Sequence, residues 1–405
     1  MRKKWWLFHA TDFESLMYPC FIICRMLGIF PYKMKASTFV ASKLHYILST
    51  VIICVCCVIN LMFTYNIIMF TFSFGDITHN FEAVSYLMFS TFIMIITHVS
   101  SGPRMRLLQT ILKVSSKLPS ESYQEMSKFI HVKDILGITL RVVQICTNYS
   151  KVHDFEINLW NILTVISTTY VGLLVFQINM LFINCVCVLK ACFKRINENL
   201  AHVQRLMVND IKLYKPRFIC NEQRNKCLLI KLKMLEKQHL IVSNTVQMLN
   251  LIFSLQVTAT IVMTYASITF ELYFYIVRWQ DGVFFDLDKQ YLDVLITSTG
   301  FNILKIVLHV WACETGKNQA QEIGTTIHDL LNSTNDEQIK KELVLFSLQI
   351  LHRENTFSVK AFTVDAKLFT AIVGNITMYL LILIQFLNMS HSCDRRTAIS
   401  VTQFN

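Results

Sequence analysis

The sequence predicts an all-α membrane protein with seven transmembrane helices, its N-terminus cytoplasmic and its C-terminus extracellular, carrying helical segments on the cytoplasmic side. Three observations predict it. First, 53% of the 405 residues are apolar and only 16% are charged, whereas a soluble domain carries about 25% charge. Second, Leu44 to Gly75, Ile157 to Leu189 and Leu240 to Phe270 contain no Asp, Glu, Lys or Arg. Each exceeds the roughly 20 residues a helix needs to cross the hydrocarbon layer with its backbone hydrogen bonds made internally. Third, 31 of the 38 Lys and Arg residues fall into four segments that one threading of the membrane puts on a single side, and that side is expected to be cytoplasmic.

Residues 1–43 form the cytoplasmic N-terminus; long, mixed and charged, they do not read as a cleavable signal peptide, so the first span is expected to direct insertion. Spans one to four are predicted at about 44–70, 83–102, 133–150 and 159–189. The third holds Arg141 and Gln144 and is weak by hydropathy alone. It is counted because without it two basic loops would fall on opposite faces of the membrane. Spans five and six follow at about 245–275 and 291–312, span seven at 368–389, and an extracellular tail at 390–405. The sequons at Asn148 and Asn388 fall at outer helix ends and are expected to be glycosylated.

The cytoplasmic stretches 191–244 and 314–367 are amphipathic. Leu228, Leu232, Leu235, Val242 and Val246 recur at helical spacing, as do Ile323, Ile327, Leu330 and Leu331, and then Ile339, Leu343, Phe346 and Ile350. Each apolar stripe needs a partner. The partner is the membrane surface, a bundle within the chain, or another subunit.

The thirteen Cys lie mainly in spans or on the reducing side, without the ligand set and His spacing of a zinc site, so no metal and no cofactor are expected. Only Cys146 and Cys393 sit near the oxidising side. The net charge of +11 follows from the inner-face bias and suits contact with anionic membrane lipids; no nucleic-acid module accompanies it. An enzyme is not expected, because His-Glu-x-x-His, Gly-x-Ser-x-Gly and phosphate-loop motifs are missing.

In the last span Asn375, Met378, Ile382 and Gln385 follow at steps of 3, 4 and 3 residues and share one helical face. Such a polar stripe faces other helices or lines a pore. The same stretch resembles the carboxy-terminal signature of insect gustatory receptors, a Thr-Tyr pair, five apolar residues and Gln-Phe, here Tyr379, Leu380 to Ile384, Gln385 and Phe386. Met378 stands where the signature has Thr, and Thr377 lies one residue earlier. The likeness extends upstream through Phe362 to Asp365, Phe346 to His352 and Glu322 to His328.

The resemblance implies a homo- or heterotetrameric ligand-gated cation channel related to insect odorant receptors, with cytoplasmic helices forming an assembly domain. It implies a pore lined by the last helix, with Gln385 and Phe386 at the gate and Ile382 one turn inward, and Tyr379 packed against a neighbouring helix. It also implies an outward-opening pocket among spans two to six. By position the candidates are Tyr86, Phe89, Arg141, Gln144, Tyr170, Tyr265, Thr269 and Thr297. Arg141 is the best lead, since a charge within an apolar helix is costly and commonly functional; the alternatives are snorkelling or an ion pair within the bundle, for which Glu271 and Asp293 are the candidate partners, while Lys305 is expected to reach toward the cytoplasmic border.

The expected function is therefore a tastant-gated, non-selective cation channel in the plasma membrane of gustatory neuron dendrites, responding to bitter plant compounds or sugars. A G-protein-coupled chemoreceptor and a secondary transporter are the alternatives. Asp-Arg-Tyr and Asn-Pro-x-x-Tyr motifs and an internal repeat, which these would favour, are not found.

Overall fold

The computed structural model describes residues 8–35, 38–69, 77–150, 159–211, 218–280, 289–353, 355–358 and 363–402, the side chains near several segment ends excepted. The described chain is almost entirely helical, and six of its helices are long and apolar enough to cross a membrane: Lys43–Ile68, Asn80–Val99, Ile162–Met207, Gln223–Ile276, Leu292–Ser333 and Ala366–Gln385.

The chain opens with α1 (Phe13–Met26). Its first turn is closed by a reciprocal capping box, in which Asp12 Oδ1 accepts from the Ser15 amide at 2.9 Å and Ser15 Oγ accepts from the Asp12 amide at 3.1 Å. Gly28, at φ +70°, turns the chain into a short antiparallel hairpin, β1 (Tyr32–Lys35) and β2 (Thr38–Ala41). Phe21, Phe30, Tyr32 and Phe39 knit helix and hairpin together, with Phe21 and Phe30 stacked at 4.6 Å. This small aromatic unit carries no charge or hydropathy signal, and the sequence reading places no element there.

Beyond it come α2 (Lys43–Ile68), α3 (Ile77–Val99), α4 (Ser101–Ser115) and α5 (Ser120–Ser150). Then follow three very long helices, α6 (Leu159–Ile211), α7 (Phe218–Gln280) and α8 (Lys289–Ser333). At 1.5 Å per residue α7 is about 95 Å long, some three times the hydrocarbon thickness. The amphipathic stretches expected beside spans four to six are thus continuous with the spanning helices. The apolar stretch of α6 is almost wholly buried, because it sits at the centre of the bundle against α8, α7, α2 and α3, and the polar Gln177, Asn179 and Asn184 within it are buried too.

Over residues 132–144, helix α5 has its polarity reversed relative to a water-soluble helix. Lys133, Asp134 and Gln144 are buried, while Val132, Ile135, Leu136 and Val142 are exposed. In this stretch Lys133, Asp134 and Gln144 therefore turn toward the bundle, where α5 packs on α6 and α8, and the apolar side chains face away. Lys133 pairs with Asp134, whose other oxygen accepts from Asn184 Nδ2 at 3.0 Å.

The three apolar stripes meet one another within the chain. Leu228, Leu232, Leu235, Ile323, Ile327, Ile339, Leu343 and Phe346 join the main core, with α9 (Glu337–His352) packed on α7 and α8. His239 is fully buried there between Phe193 and Phe346. Asn355 and Gln349 side-chain amides lie 3.3 and 3.1 Å from its two ring nitrogens. Burial, with Arg353 adding to it, pushes the His239 pKa down to about 4.

The segment leading to the last helix is stapled to this layer. Asn250 Nδ2 donates to the Thr356 carbonyl at 2.8 Å, and the Phe357 ring fills the space left by Gly316 on α8, where an added Cβ would lie 2.6 Å from it. Asp365 then caps α10 (Ala366–Thr402), accepting from the Leu368 amide at 3.0 Å.

Candidate functional site

Five helices enclose a cavity of about 400 Å³. It lies in the half of the bundle where α3, α6 and α8 begin and α5 and α7 end. Tyr86 of α3, Arg141 and Gln144 of α5, Gly172 and Phe176 of α6, Met263, Ser267 and Glu271 of α7, and Ser298, Phe301, Asn302 and Lys305 of α8 contribute to its wall. The volume suits a small amphipathic molecule held by a few convergent polar groups.

A continuous polar chain crosses this wall. Arg141 Nη1 donates to Gln144 Oε1 at 2.6 Å, and Gln144 Nε2 donates to Ser298 Oγ at 2.9 Å. Ser298 Oγ donates in turn to Glu271, whose carboxylate also accepts from Thr299 Oγ1 at 2.8 Å and Asn302 Nδ2 at 3.4 Å. Lys305 Nζ donates to Asn302 Oδ1 at 3.1 Å. Both cations lie against the Phe301 ring, Arg141 Cζ at 5.5 Å and Lys305 Nζ at 5.6 Å from its centroid. Gly172 makes the room: a Cβ there would lie 1.9 Å from Arg141 Nη2 and 3.2 Å from the Tyr86 hydroxyl.

Of the eight positions named from sequence, the cavity gathers Tyr86, Arg141 and Gln144, while Phe89 lines a small adjoining cleft. The other four are turned elsewhere by helix rotation. Tyr170 donates to the Leu27 carbonyl at 2.9 Å, tying α6 to the turn after α1. Thr269 donates to the Tyr265 carbonyl within α7, and Tyr265 packs on the main core. Thr297 bonds the Asp293 carbonyl and meets Thr147 at 3.2 Å.

Two expectations are corrected. Lys305 does not reach the bundle end; α8 turns it inward beside Phe301, and it is only 6% exposed. Arg141 pairs with neither Glu271 nor Asp293. The oxygens of Glu271 are taken by donors from α8, and the Arg141 guanidinium finds an amide. Sequence reasoning passed over Gly172, Phe176, Phe301, Asn302 and Lys305 as cavity residues. Only Lys305, a charge within a span, carried a signal.

The last helix is placed very differently from the cavity helices. Only 11% of its apolar window is buried, through Ile372 and Ile376, and it touches α7 and α8. Asn375, Met378, Ile382 and Gln385 are all exposed and point away from their own bundle. Tyr379 is half exposed. Phe386 lies in α10, but its side chain, like those of Asn148, Asn388 and Cys393, falls outside the described residues.

The chain matches the 7tm Chemosensory receptor family over residues 17–389. It belongs to that family. Among curated relatives, the Drosophila melanogaster protein named "Putative gustatory receptor 28b" is 27% identical over 146 residues, 35% of this chain and 31% of that protein. "Putative gustatory receptor 28a" of the same fly is 39% identical over 69 residues, 17% of this chain and 15% of that protein. The matched stretches thus span about a third of the first relative's length and less of the second's. In fold the receptor is similar to the insect olfactory receptor OR5 from Machilis hrabei, with a TM-score of 0.67 at 10% identity over 92% of this chain and 98% of that one. The OR5 structure in complex with eugenol gives 0.64 at 12% identity, over the same shares of both chains. The receptor is accordingly a multi-pass, almost entirely helical membrane protein of the insect gustatory and olfactory receptor group, which is not a group of enzymes.

Proposed function

We propose that this receptor is a gustatory receptor acting as a tastant-gated, non-selective cation channel assembled from four copies of itself or of itself and related subunits. The observation that carries the reading is the exposed polar stripe of α10. Asn375 and Gln385 stand on a membrane helix that its own bundle barely covers. Polar groups facing hydrocarbon are expensive. Four copies arranged around an axis would cover them and line a conduit, with Ile382, Gln385 and Phe386 as its constriction. The outward-facing Val344, Leu345, Leu348 and Leu351 of α9 favour subunit contacts in the other layer, as an assembly domain requires.

On this reading the later part of α5 is the third span and brings the count to seven, since over residues 132–144 its polar residues are turned inward and its apolar ones outward as lipid demands. The distribution of Lys and Arg then supports a cytoplasmic N-terminus and an extracellular C-terminus, with Asn148 and Asn388 on the glycosylated side. The cavity opens toward that side and takes the tastant, a bitter plant compound or a sugar; a fold relative has been solved with the small molecule eugenol. Binding there separates the last helices, and cations enter the dendrite of a gustatory neuron through the plasma membrane.

The test is expression of the full chain alone, with tastant screening by calcium imaging followed by excised-patch recording. A tastant-evoked cation current that persists in cell-free patches without GTP supports the channel. A response that vanishes on patch excision and requires GTP would instead favour G-protein coupling.

A further inference from the structure

We propose that the cavity selects amphipathic organic anions, holding a carboxylate between Arg141 and Lys305 with its apolar part against Phe301 and Phe176. This deepens the proposed receptor reading and rests on it for the consequence of binding.

Glu82, Glu271, Arg141 and Lys305 all line the cavity, but among the described residues its two cations form no direct ion pair with its carboxylates. Glu271 is saturated by Ser298, Thr299 and Asn302, so its lone pairs are committed to neutral donors on α8. Arg141 spends one donor on Gln144, and its Nε is buried without a partner. Lys305 spends one of its three donors on Asn302. Among the described residues neither cation has a carboxylate within 4 Å, although Lys305 is 6% exposed. Buried cations are ordinarily paired, because an unpaired charge in an apolar medium is very costly. Here the two flank one ring, so they stand within about 11 Å of each other and share the same void.

An anionic group entering that void would meet both cations and would lessen their mutual repulsion. Phe176, Phe301, Met263 and Val175 give one part of the wall an apolar surface, which a small inorganic ion would not use. Glu82, on the first turns of α3, and Glu271 of α7 share the cavity with the two cations and would oppose a second negative charge, so a monoanion is the better fit.

The test uses purified full-length receptor in nanodiscs and three probes of one shape: 3-phenylpropanoate, 3-phenylpropanol and 3-phenylpropylamine. Thermal stabilisation is titrated at constant sodium, with chloride as the exchanged anion. The expected result is that the carboxylate binds at least tenfold more tightly than the alcohol or the amine. Arg141→Gln and Lys305→Gln should each abolish that preference while leaving the weak response to the alcohol. Should Lys305→Gln fold poorly, Lys305→Met, which keeps the packing on Phe301, serves in its place. Equal binding of all three probes, stabilisation by chloride matching that by the carboxylate, or a carboxylate preference surviving in both variants would overturn the inference. Patch recordings in parallel separate it from the channel reading. Carboxylate binding without any current would refute the channel alone, and currents evoked by the alcohol and the amine at the same concentrations as by the carboxylate would refute the anion preference alone.

Discussion

Replacing Gly172 with Ala tests the cavity geometry without any ligand. The new methyl group would lie 1.9 Å from Arg141 Nη2 and must displace the guanidinium, since the other nearby atom, the Tyr86 hydroxyl at 3.2 Å, can yield by a few tenths of an ångström. Displacement breaks the 2.6 Å bond to Gln144, and a hydrogen bond to a charged group contributes about 1.5–3 kcal/mol. Against this, Gly to Ala within a helix gains about 1 kcal/mol. The single variant should therefore be destabilised by about 0.5–2 kcal/mol. In an Arg141→Ala background the clash is gone, and the same change should be neutral or stabilising by up to about 1 kcal/mol. The assay is thermal unfolding of the four purified receptors in one detergent, compared as a double-mutant cycle. If Gly172→Ala lowered the transition temperature equally with and without Arg141, the guanidinium would not occupy the space that Gly172 leaves, and the reasoning about the cavity would fail.

Four further outcomes are expected. Phe386→Ala should raise basal current by widening the proposed constriction, and an unchanged closed state in patch recordings would place Phe386 elsewhere. Gln385→Glu should alter divalent block or permeability, because a ring of carboxylates would surround the axis, and identical selectivity would argue that Gln385 faces protein. Asp134→Ala should cost about 3–5 kcal/mol in thermal or denaturant stability by leaving Lys133 buried without its partner; a change under 1 kcal/mol would count against the pair. His239 has a folded pKa of about 4, below the usual 6.5, so the unfolded chain takes up the proton first. Its contribution is complete above about pH 6.5 and is lost as pH falls toward 4, by roughly 3 kcal/mol at most. His239→Phe should flatten that part of the stability profile, and an unaltered slope between pH 6.5 and 4 would contradict it.

The uncharged runs made most of the helices legible, because a stretch such as Ile157 to Leu189 has few alternatives to a buried or spanning helix. The stripes of Leu228, Ile323 and Ile339 were legible as surfaces needing partners, but periodicity does not say which partner, and the structure pairs them within the chain. The hairpin at 32–41 was not legible, since its stability comes from contacts of Phe21 and Phe30 with Phe39 and not from any local pattern. In the cavity, Arg141 stood out because charge in an apolar helix is rare. Lys305 carried the same signal, yet its depth invited the wrong direction, and only the rotation of α8 reveals that it turns inward. Tyr170, Tyr265, Thr269 and Thr297 show the complementary failure: side chains with suitable chemistry at a suitable depth are turned aside by a fraction of a helical turn. Gly172 offers no chemistry of its own and becomes visible only through what occupies its missing side chain.

The length of α8 ties the two ends of the molecule together mechanically. One unbroken rod carries Ser298 and Lys305 in the cavity and, eleven residues after Lys305, the Gly316 notch that seats Phe357 just upstream of the final helix. That interval amounts to about 16 Å of helix. On the proposed reading, a guest that shifts the cavity end of the rod would shift the footing of α10 as well, because the helix is continuous between them.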